Sequence, residues 1–299
     1  YFLLHKYQIS KQKKFDEFTN KYVKKSKEKY YKNNIEVTNN IYDKFIVGSD
    51  QIWNTNTTDD DYAYYLDFVK DNEKKYSYAA SFGYSEIPDR NKEKVKELLQ
   101  EFKELNVREE EGKNIISNLI KKDANVVVDP TFLLSKKDWL EISNNIDRKE
   151  PYILMYMVNS RDEIFKYIDD ISRKENLKIV SVSDFIKKHN EQDVELIHDP
   201  TPEEFISLIS NARYVITGSF HAICMSMILE KDFFYMLNDN NVNSRLVNLI
   251  KMAGLEDREI KNSEYKKIED IDYEKVLQKM NPLIQKSKEI INGMIEEKY

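Results

Sequence analysis

The segment Gly218-Ser219-Phe220-His221 closes an apolar run, Tyr214-Val215-Ile216-Thr217, and opens a helical pattern over 222–230. An imidazole titrates near neutrality and can move protons, while the start of a helix offers unpaired N–H groups to a phosphate or carboxylate. In an open α/β sheet such turns lie outside the carboxyl ends of strands, where ligands collect. Ser219 and Phe220 share the turn and become candidate ligand contacts with His221. A structural or merely solvated histidine is the alternative, and position alone leaves both open.

Two arginines occupy comparable places. Arg108 ends the run Asn106-Val107 ahead of Glu109, Glu110 and Glu111, and Arg245 follows Asn243 and Ser244 where another helical pattern begins. A guanidinium there can form paired hydrogen bonds to a carboxylate or phosphate, or a salt bridge to a following glutamate. A second strand-to-turn passage, 45–54, sets Ser49, Asp50, Gln51 and Asn54 beside Trp53 after Gly48. Hydrogen-bonding groups next to a flat apolar ring suit a sugar, and Gly48 permits tight backbone geometry. An ordinary turn with side chains bonded to neighbouring N–H groups is the competing reading. Asp129, after Val126-Val127-Val128, is expected to cap the turn that begins at Pro130.

Other chemistries find no support. Neither a Gly-x-Gly-x-x-Gly run nor a Walker loop occurs, so no glycine-rich nucleotide site is expected. His189 and His198 are not spaced as a metal pair with His221, and the single cysteine, Cys224, excludes an intrachain disulfide. No metal and no cofactor are expected. The chain carries 47 basic and 53 acidic residues for a net charge of −6, which provides no basic field for nucleic acid. No apolar run spans a bilayer, and the opening residues are too short for a signal segment, so a cytoplasmic protein is expected. Many Lys, Asn, Ile and Tyr residues with 6 Gly suggest an AT-rich bacterial genome, and a start at Tyr suggests a missing N-terminal segment.

The elements that must position these groups alternate. Strand-like runs at 44–47, 75–80, 105–108, 125–128, 152–158, 177–183, 194–198, 214–217 and 233–237 are interleaved with helical patterns at 89–103, 110–121, 161–175, 201–211 and 272–297. Such alternation predicts an α/β fold with parallel sheets flanked by helices. Thr201-Pro202-Glu203-Glu204 carries a hydroxyl cap, a first-turn proline and acids suited to a helix start. With 299 residues and 40% hydrophobic composition, two cores are expected. The polar stretch 143–150 divides them into Rossmann-like domains at 1–140 and 150–270, with a helix at 271–299 that could pack back on the first. The basic N-terminal forty residues read as a solvated face or, less simply, a phosphate-binding strip.

Five ordered motifs carry a family resemblance. They are Val47-Gly48-Ser49-Asp50-Gln51-Ile52-Trp53-Asn54, Tyr78-Ala79-Ala80-Ser81-Phe82-Gly83, Val107-Arg108-Glu109, Val128-Asp129-Pro130-Thr131-Phe132-Leu133-Leu134 and Gly218-Ser219-Phe220-His221. Together with Asn243-Ser244-Arg245 and Gly254-Leu255-Glu256-Asp257-Arg258, they make the stretch from about 40 to 260 resemble the polysaccharide pyruvyl transferases. The resemblance implies a GT-B-like pair of domains and transfer of pyruvyl from phosphoenolpyruvate to two hydroxyls of a sugar. The product is a ketal on a cell-surface or cell-wall polysaccharide, such as an exopolysaccharide.

That resemblance implies catalysis by His221 and donor binding by Arg108. Arg108, Ser219, Phe220, His221 and Arg245 then become the expected phosphoenolpyruvate contacts, with Ser49, Asp50, Gln51, Trp53 and Asn54 on the acceptor side. The reading requires His221 and Arg108 to face one cleft. The expected partner is a sugar or lipid-linked oligosaccharide, which could bring the chain to the inner face of the membrane. The family's glycine- and asparagine-rich first loop is missing. A lysine that some members carry well after the histidine is also missing: the region holds Asn240 and Asn241, Lys231 stands too early, and Arg245 is the candidate substitute. A nucleotide-sugar glycosyltransferase of the same architecture and an inactive glycan-binding relative are the alternatives.

Overall fold

A computed structural model describes residues 2–144, 148, 150–157, 162–182, 194–237, 244–261, 264, 265, 267 and 269–296. In chain order it contains α1 (Phe2–Tyr22), β1 (Phe45–Gly48), β2 (Lys75–Tyr78), α2 (Asp89–Gln100), β3 (Asn106–Val107), α3 (Glu110–Ile120), β4 (Asn125–Val126) and α4 (Lys136–Ile142). There follow β5 (Tyr152–Tyr156), α5 (Asp162–Glu175), β6 (Lys178–Val182), β7 (Val194–Ile197), α6 (Pro202–Asn211), β8 (Tyr214–Thr217), α7 (Phe220–Ile228), β9 (Phe233–Tyr235), α8 (Ser244–Ala253) and α9 (Tyr273–Glu296). The fold is α/β with parallel sheets, and each expected strand has its counterpart, most of them shorter. His189, Asn240, Asn241 and Asn243 lie outside the described residues.

Two compact units form. One gathers Tyr1–Ser26, Leu134–Asp239 and Leu255–Val276; the other gathers Lys27–Leu133, Asn240–Gly254 and Leu277–Tyr299. The contiguous halves expected at 1–140 and 150–270 are therefore interleaved. Charge explains one exchange. Lys14 of α1 pairs with Asp199 at 3.1 Å, and Lys21 with Glu203 at 3.6 Å, so basic α1 lies against the acidic start of α6.

In the first unit all five strands run parallel in the order β7-β6-β5-β8-β9. Tyr152, Ile153, Leu154 and Met155 of β5, like all four residues of β8, are buried, as strands covered on both faces must be. Edge strand β7 exposes more of itself. Helix α6 starts on the expected box: Glu204 N donates to Thr201 Oγ1 at 3.1 Å and Thr201 N to Glu204 Oε2 at 2.7 Å, with Pro202 in the first turn. A helical pattern over 222–230 leaves open an amphipathic helix with one polar face. Instead α7 buries Ala222, Ile223, Cys224, Met225, Ser226 and Met227, a helix apolar nearly all round.

The second unit pairs β1 with β2 and β3 with β4, all parallel, and bridges β2 to β3 through Tyr76–Glu104 and Ala80–Val107. Regular pairing stops at Tyr78 because Ala79 adopts φ +53°, outside the β region. Trp53, Tyr65, Phe82, Leu99, Phe102 and Ile116 form its core. From Leu277 onward the chain of α9 belongs to this unit. Val128 N donates to Ser287 Oγ at 3.0 Å, and Lys44 Nζ to Met294 O at 2.7 Å, so the last helix packs on the N-terminal sheet as expected.

Gly48 is required by proximity. A Cβ there would stand 2.0 Å from the main-chain oxygen of Tyr78, its register partner. Backbone cannot yield as a side chain tip can, so Gly48→Ala is expected to lower stability by about 1–3 kcal/mol in urea unfolding. An unchanged midpoint would show that the two strands are free to separate.

Candidate active site

The turn after β1 has unusual backbone. Ser49 and Asp50 adopt φ +32° and +62°, left-handed values uncommon outside glycine that recur where a side chain must be aimed. Ser49 Oγ donates to Asp129 Oδ2 at 3.1 Å, and Arg108 Nη1 donates to the same oxygen at 2.9 Å. The other Asp129 oxygen accepts from Thr131 N at 3.1 Å and Thr131 Oγ1 at 2.8 Å, the capping role expected of it. The Arg108 and Asp129 side chains are each 2% exposed, so this ion pair is buried and both oxygens of its carboxylate are engaged.

Arg108 Nη2 also donates to Asp50 Oδ1 at 3.3 Å, and Arg245 Nη1 donates to that same oxygen at 3.2 Å. Two arginines 137 positions apart in sequence thus converge on one carboxylate oxygen. Arg245 rides on the first turn of α8. Asn248, one turn on, donates through Nδ2 to Glu111 Oε2 of α3, which fixes α8 against the helix that follows Arg108. Burial, then the like charge of Arg108, lowers the Arg245 pKa, and a negative charge at this place opposes that shift by favouring the charged guanidinium.

Glu109 completes the cluster. It is buried, accepts from Ser81 Oγ at 2.5 Å, and sets Oε2 3.8 Å from Arg108 Nε. Burial raises its pKa above the ordinary carboxylate value, opposed by the Ser81 bond and the charges of Arg108 and Arg245. The expected salt bridge between Arg108 and a following glutamate is therefore real but long, and the tighter partner is Asp129. Sequence reasoning missed Asp129 as the anchor of Arg108; it held Glu109 only as one of three possible salt-bridge partners and Ser81 only as part of a motif. The signal was present in the polar residues that end β2, β3 and β4, since parallel strands bring their carboxyl ends together.

The rest of the Ser49–Asn54 turn faces inward. Trp53 was expected to offer a sugar its flat face, and the structure corrects this: the residue is 0% exposed. Its ring stacks on Tyr65 at 5.5 Å and packs against Phe82 at 5.1 Å and Phe102 at 5.6 Å, with Nε1 bonded to Tyr64 O at 3.0 Å. An indole with its N–H satisfied inside a core is a packing anchor. Asn54 is also buried and commits Oδ1 to Asn56 N at 3.1 Å. Gln51 lies against Gly83, whose φ of +68° and missing Cβ leave room for the amide. Of the acceptor-side residues, Ser49 and Asp50 join the arginine cluster, whereas Gln51, Trp53 and Asn54 build the turn.

In the other unit, His221 is exposed in the first turn of α7, just beyond β8. The strand order reverses between β5 and β8, and the crevice at such a reversal is where open parallel sheets take ligands. Thr217 Oγ1 donates to Tyr156 O at 2.6 Å and accepts from Ser219 N at 3.0 Å, tying the two strand ends to the turn. Ser219 Oγ caps α7 by accepting from Ala222 N at 3.4 Å, which leaves its O–H to donate. The Phe220 ring meets the imidazole edge-on at 5.4 Å. Thr217, unremarked in the sequence, is the residue that shapes this turn.

Parallel sheets with an arginine cluster at the strand ends of one unit and a histidine turn at those of the other define an α/β protein. Its polar groups gather where such folds take ligands. A family model described as polysaccharide pyruvyl transferase matches residues 2–240, and the chain belongs to that family, whose members are transferases in polysaccharide modification. No match was found among curated proteins.

Among solved structures the chain is similar to the UDP-GlcNAc 2-epimerase of Methanocaldococcus jannaschii in complex with UDP-GlcNAc and UDP, at 13% identity and TM-score 0.41 over 66% of this chain and 62% of that one. It is similar also to the glycosyltransferase SnogD of Streptomyces nogalater, at 11% identity and TM-score 0.31 over 59% of this chain and 48% of that one. A third likeness is to the wall teichoic acid polymerase TagF, at 15% identity and TM-score 0.33 over 71% of this chain and 57% of that one. The chain spans about three-fifths of the first of these or less of the others. Likenesses this distant bear on neither substrate nor mechanism. Among the described residues no helix is long and apolar enough to cross a membrane.

Proposed function

We propose that the chain transfers the pyruvyl group of phosphoenolpyruvate to two hydroxyls of a sugar, forming a cyclic ketal and releasing phosphate. The observation that carries the reading is the convergence of Arg108 Nη2 and Arg245 Nη1 on one carboxylate oxygen. Phosphoenolpyruvate bears a carboxylate and a phosphate, and guanidiniums suit both. A proton added to its methylene carbon leaves the adjacent carbon electrophilic. One sugar hydroxyl adds there and loses its proton, phosphate departs with the C–O bonding pair, and the second hydroxyl closes the ring and loses its own proton. His221 moves protons in these steps, Ser219 and Phe220 shape its turn, and Arg108 and Arg245 hold the anionic donor. The chemistry calls for no metal or redox cofactor. The acceptor is a sugar or lipid-linked oligosaccharide on the cytoplasmic side, reached at the inner face of the membrane.

Phosphate release with phosphoenolpyruvate and lipid-linked sugars tests this directly. Millimolar phosphoenolpyruvate is expected to raise Tm by several degrees, because a ligand at a hundred times its Kd stabilises by about 2.7 kcal/mol. A shift with a uridine or guanosine diphosphate sugar and none with phosphoenolpyruvate would instead favour a glycosyltransferase. Sugar binding without phosphate release, unaffected by His221→Ala, would mark an inactive glycan-binding relative.

A further inference from the structure

Asp129 and Asp50, which both accept hydrogen bonds from the Arg108 guanidinium, are held very differently. Asp129 is 2% exposed, with one oxygen shared between Arg108 and Ser49 and the other between two donors of Thr131. The Asp50 side chain is 61% exposed, and its Oδ1 accepts from Arg108 at 3.3 Å and from Arg245 at 3.2 Å. Exposed ion pairs contribute little, whereas a buried, fully bonded one is costly to open. Asp50 therefore occupies the place of an anionic ligand oxygen without being locked there.

Charge bears on the same point. Two guanidiniums, Arg108 and Arg245, share the cluster with the carboxylates of Asp50, Asp129 and Glu109. Among these described groups, with all three carboxylates ionised and in place, an incoming anion meets no positive surplus. Asp129 and Glu109 are buried and cannot withdraw, but Asp50 can. Its left-handed backbone at φ +62°, after Ser49 at +32°, aims the carboxylate at the arginines at a conformational cost that needs local contacts to sustain it.

We propose that the Asp50 carboxylate is a built-in stand-in for the substrate anion, seated on Arg108 and Arg245 when the site is empty and displaced when a phosphate or carboxylate enters. This deepens the donor-site reading above and rests on it. Asp50 thereby sets the affinity of the arginine pair: it keeps loosely held anions out and admits one that reaches both guanidiniums at once.

The test uses the full chain and inorganic phosphate as probe, followed by titration calorimetry. Asp50→Asn and Asp50→Gly both tolerate a left-handed φ, so each is expected to keep the fold by far-UV circular dichroism. Each should bind phosphate about tenfold more tightly than the parent chain, the scale of removing one competing charge. Adding Arg245→Gln to Asp50→Asn should abolish that gain. Phosphate binding that is unchanged or weaker in both Asp50 variants overturns the proposal, and so does a gain that survives Arg245→Gln, since the phosphate then sits elsewhere. Because no pyruvyl transfer is read, tighter phosphate binding with no turnover of phosphoenolpyruvate would sustain the displacement and sink the donor assignment. Turnover with no tightening would do the reverse.

Discussion

Replacing Arg108 by alanine is expected to cost about 3–5 kcal/mol of stability, because it strips a buried carboxylate of its cation. Asp129, with 2% of its side chain exposed, would retain Ser49 and the two Thr131 donors but lose the guanidinium at 2.9 Å, while Glu109 would lose its nearest cation at 3.8 Å. Urea unfolding reads the loss as a lower midpoint at unchanged slope. Arg108→Ala combined with Asp129→Asn should recover much of it, since the stranded charge is gone. A single variant as stable as the parent would mean that water reaches Asp129 and that the pair is not buried. The same substitution should remove the phosphoenolpyruvate-dependent rise in Tm. Arg108→Lys separates the two effects: it keeps the charge but not the planar fork, so it should recover stability better than donor binding.

His221→Ala is expected to behave in the opposite way. Its imidazole is exposed in the first turn of α7, so truncation should leave stability within about 0.5 kcal/mol. Turnover should fall by about 10² to 10⁴, the range commonly supplied by a positioned acid–base group. The rise in Tm with phosphoenolpyruvate should survive largely intact, because donor binding is assigned to the arginines. Comparison of kcat with the thermal shift decides the matter. A variant that loses both together, or neither, would remove His221 from proton transfer.

Much of the fold was legible because parallel strands and their covering helices leave strong local patterns. The apolar run at 152–158 and the box Thr201-Pro202-Glu203-Glu204 each identify one element by periodicity or capping, and both elements form. The packing of one segment upon another left no such trace. Nothing local announces that Tyr1–Ser26 joins Leu134–Asp239 or that Asn240–Gly254 joins Lys27–Leu133, since those associations rest on pairs such as Lys14 with Asp199 and Asn248 with Glu111. The site was half legible for the same reason. Arg108, Arg245 and His221 could be singled out by type and position, but Trp53 could not be distinguished as a core anchor, because an aromatic beside polar residues reads alike whether the turn faces solvent or folds over a core.

By itself the sequence determined the α/β class, the order of strands and helices, the family and the polar residues placed at strand ends. These come from side-chain periodicity, capping and turn chemistry, which act over a few neighbouring residues. Tertiary structure alone decided that Arg108 and Arg245 share the oxygen of Asp50, that Asp129 and Glu109 are buried beside them, and that Trp53 lies inside. The physical reason is burial: it fixes which charges must find partners and which can be exchanged for a ligand, and it is set by contacts between segments distant along the chain.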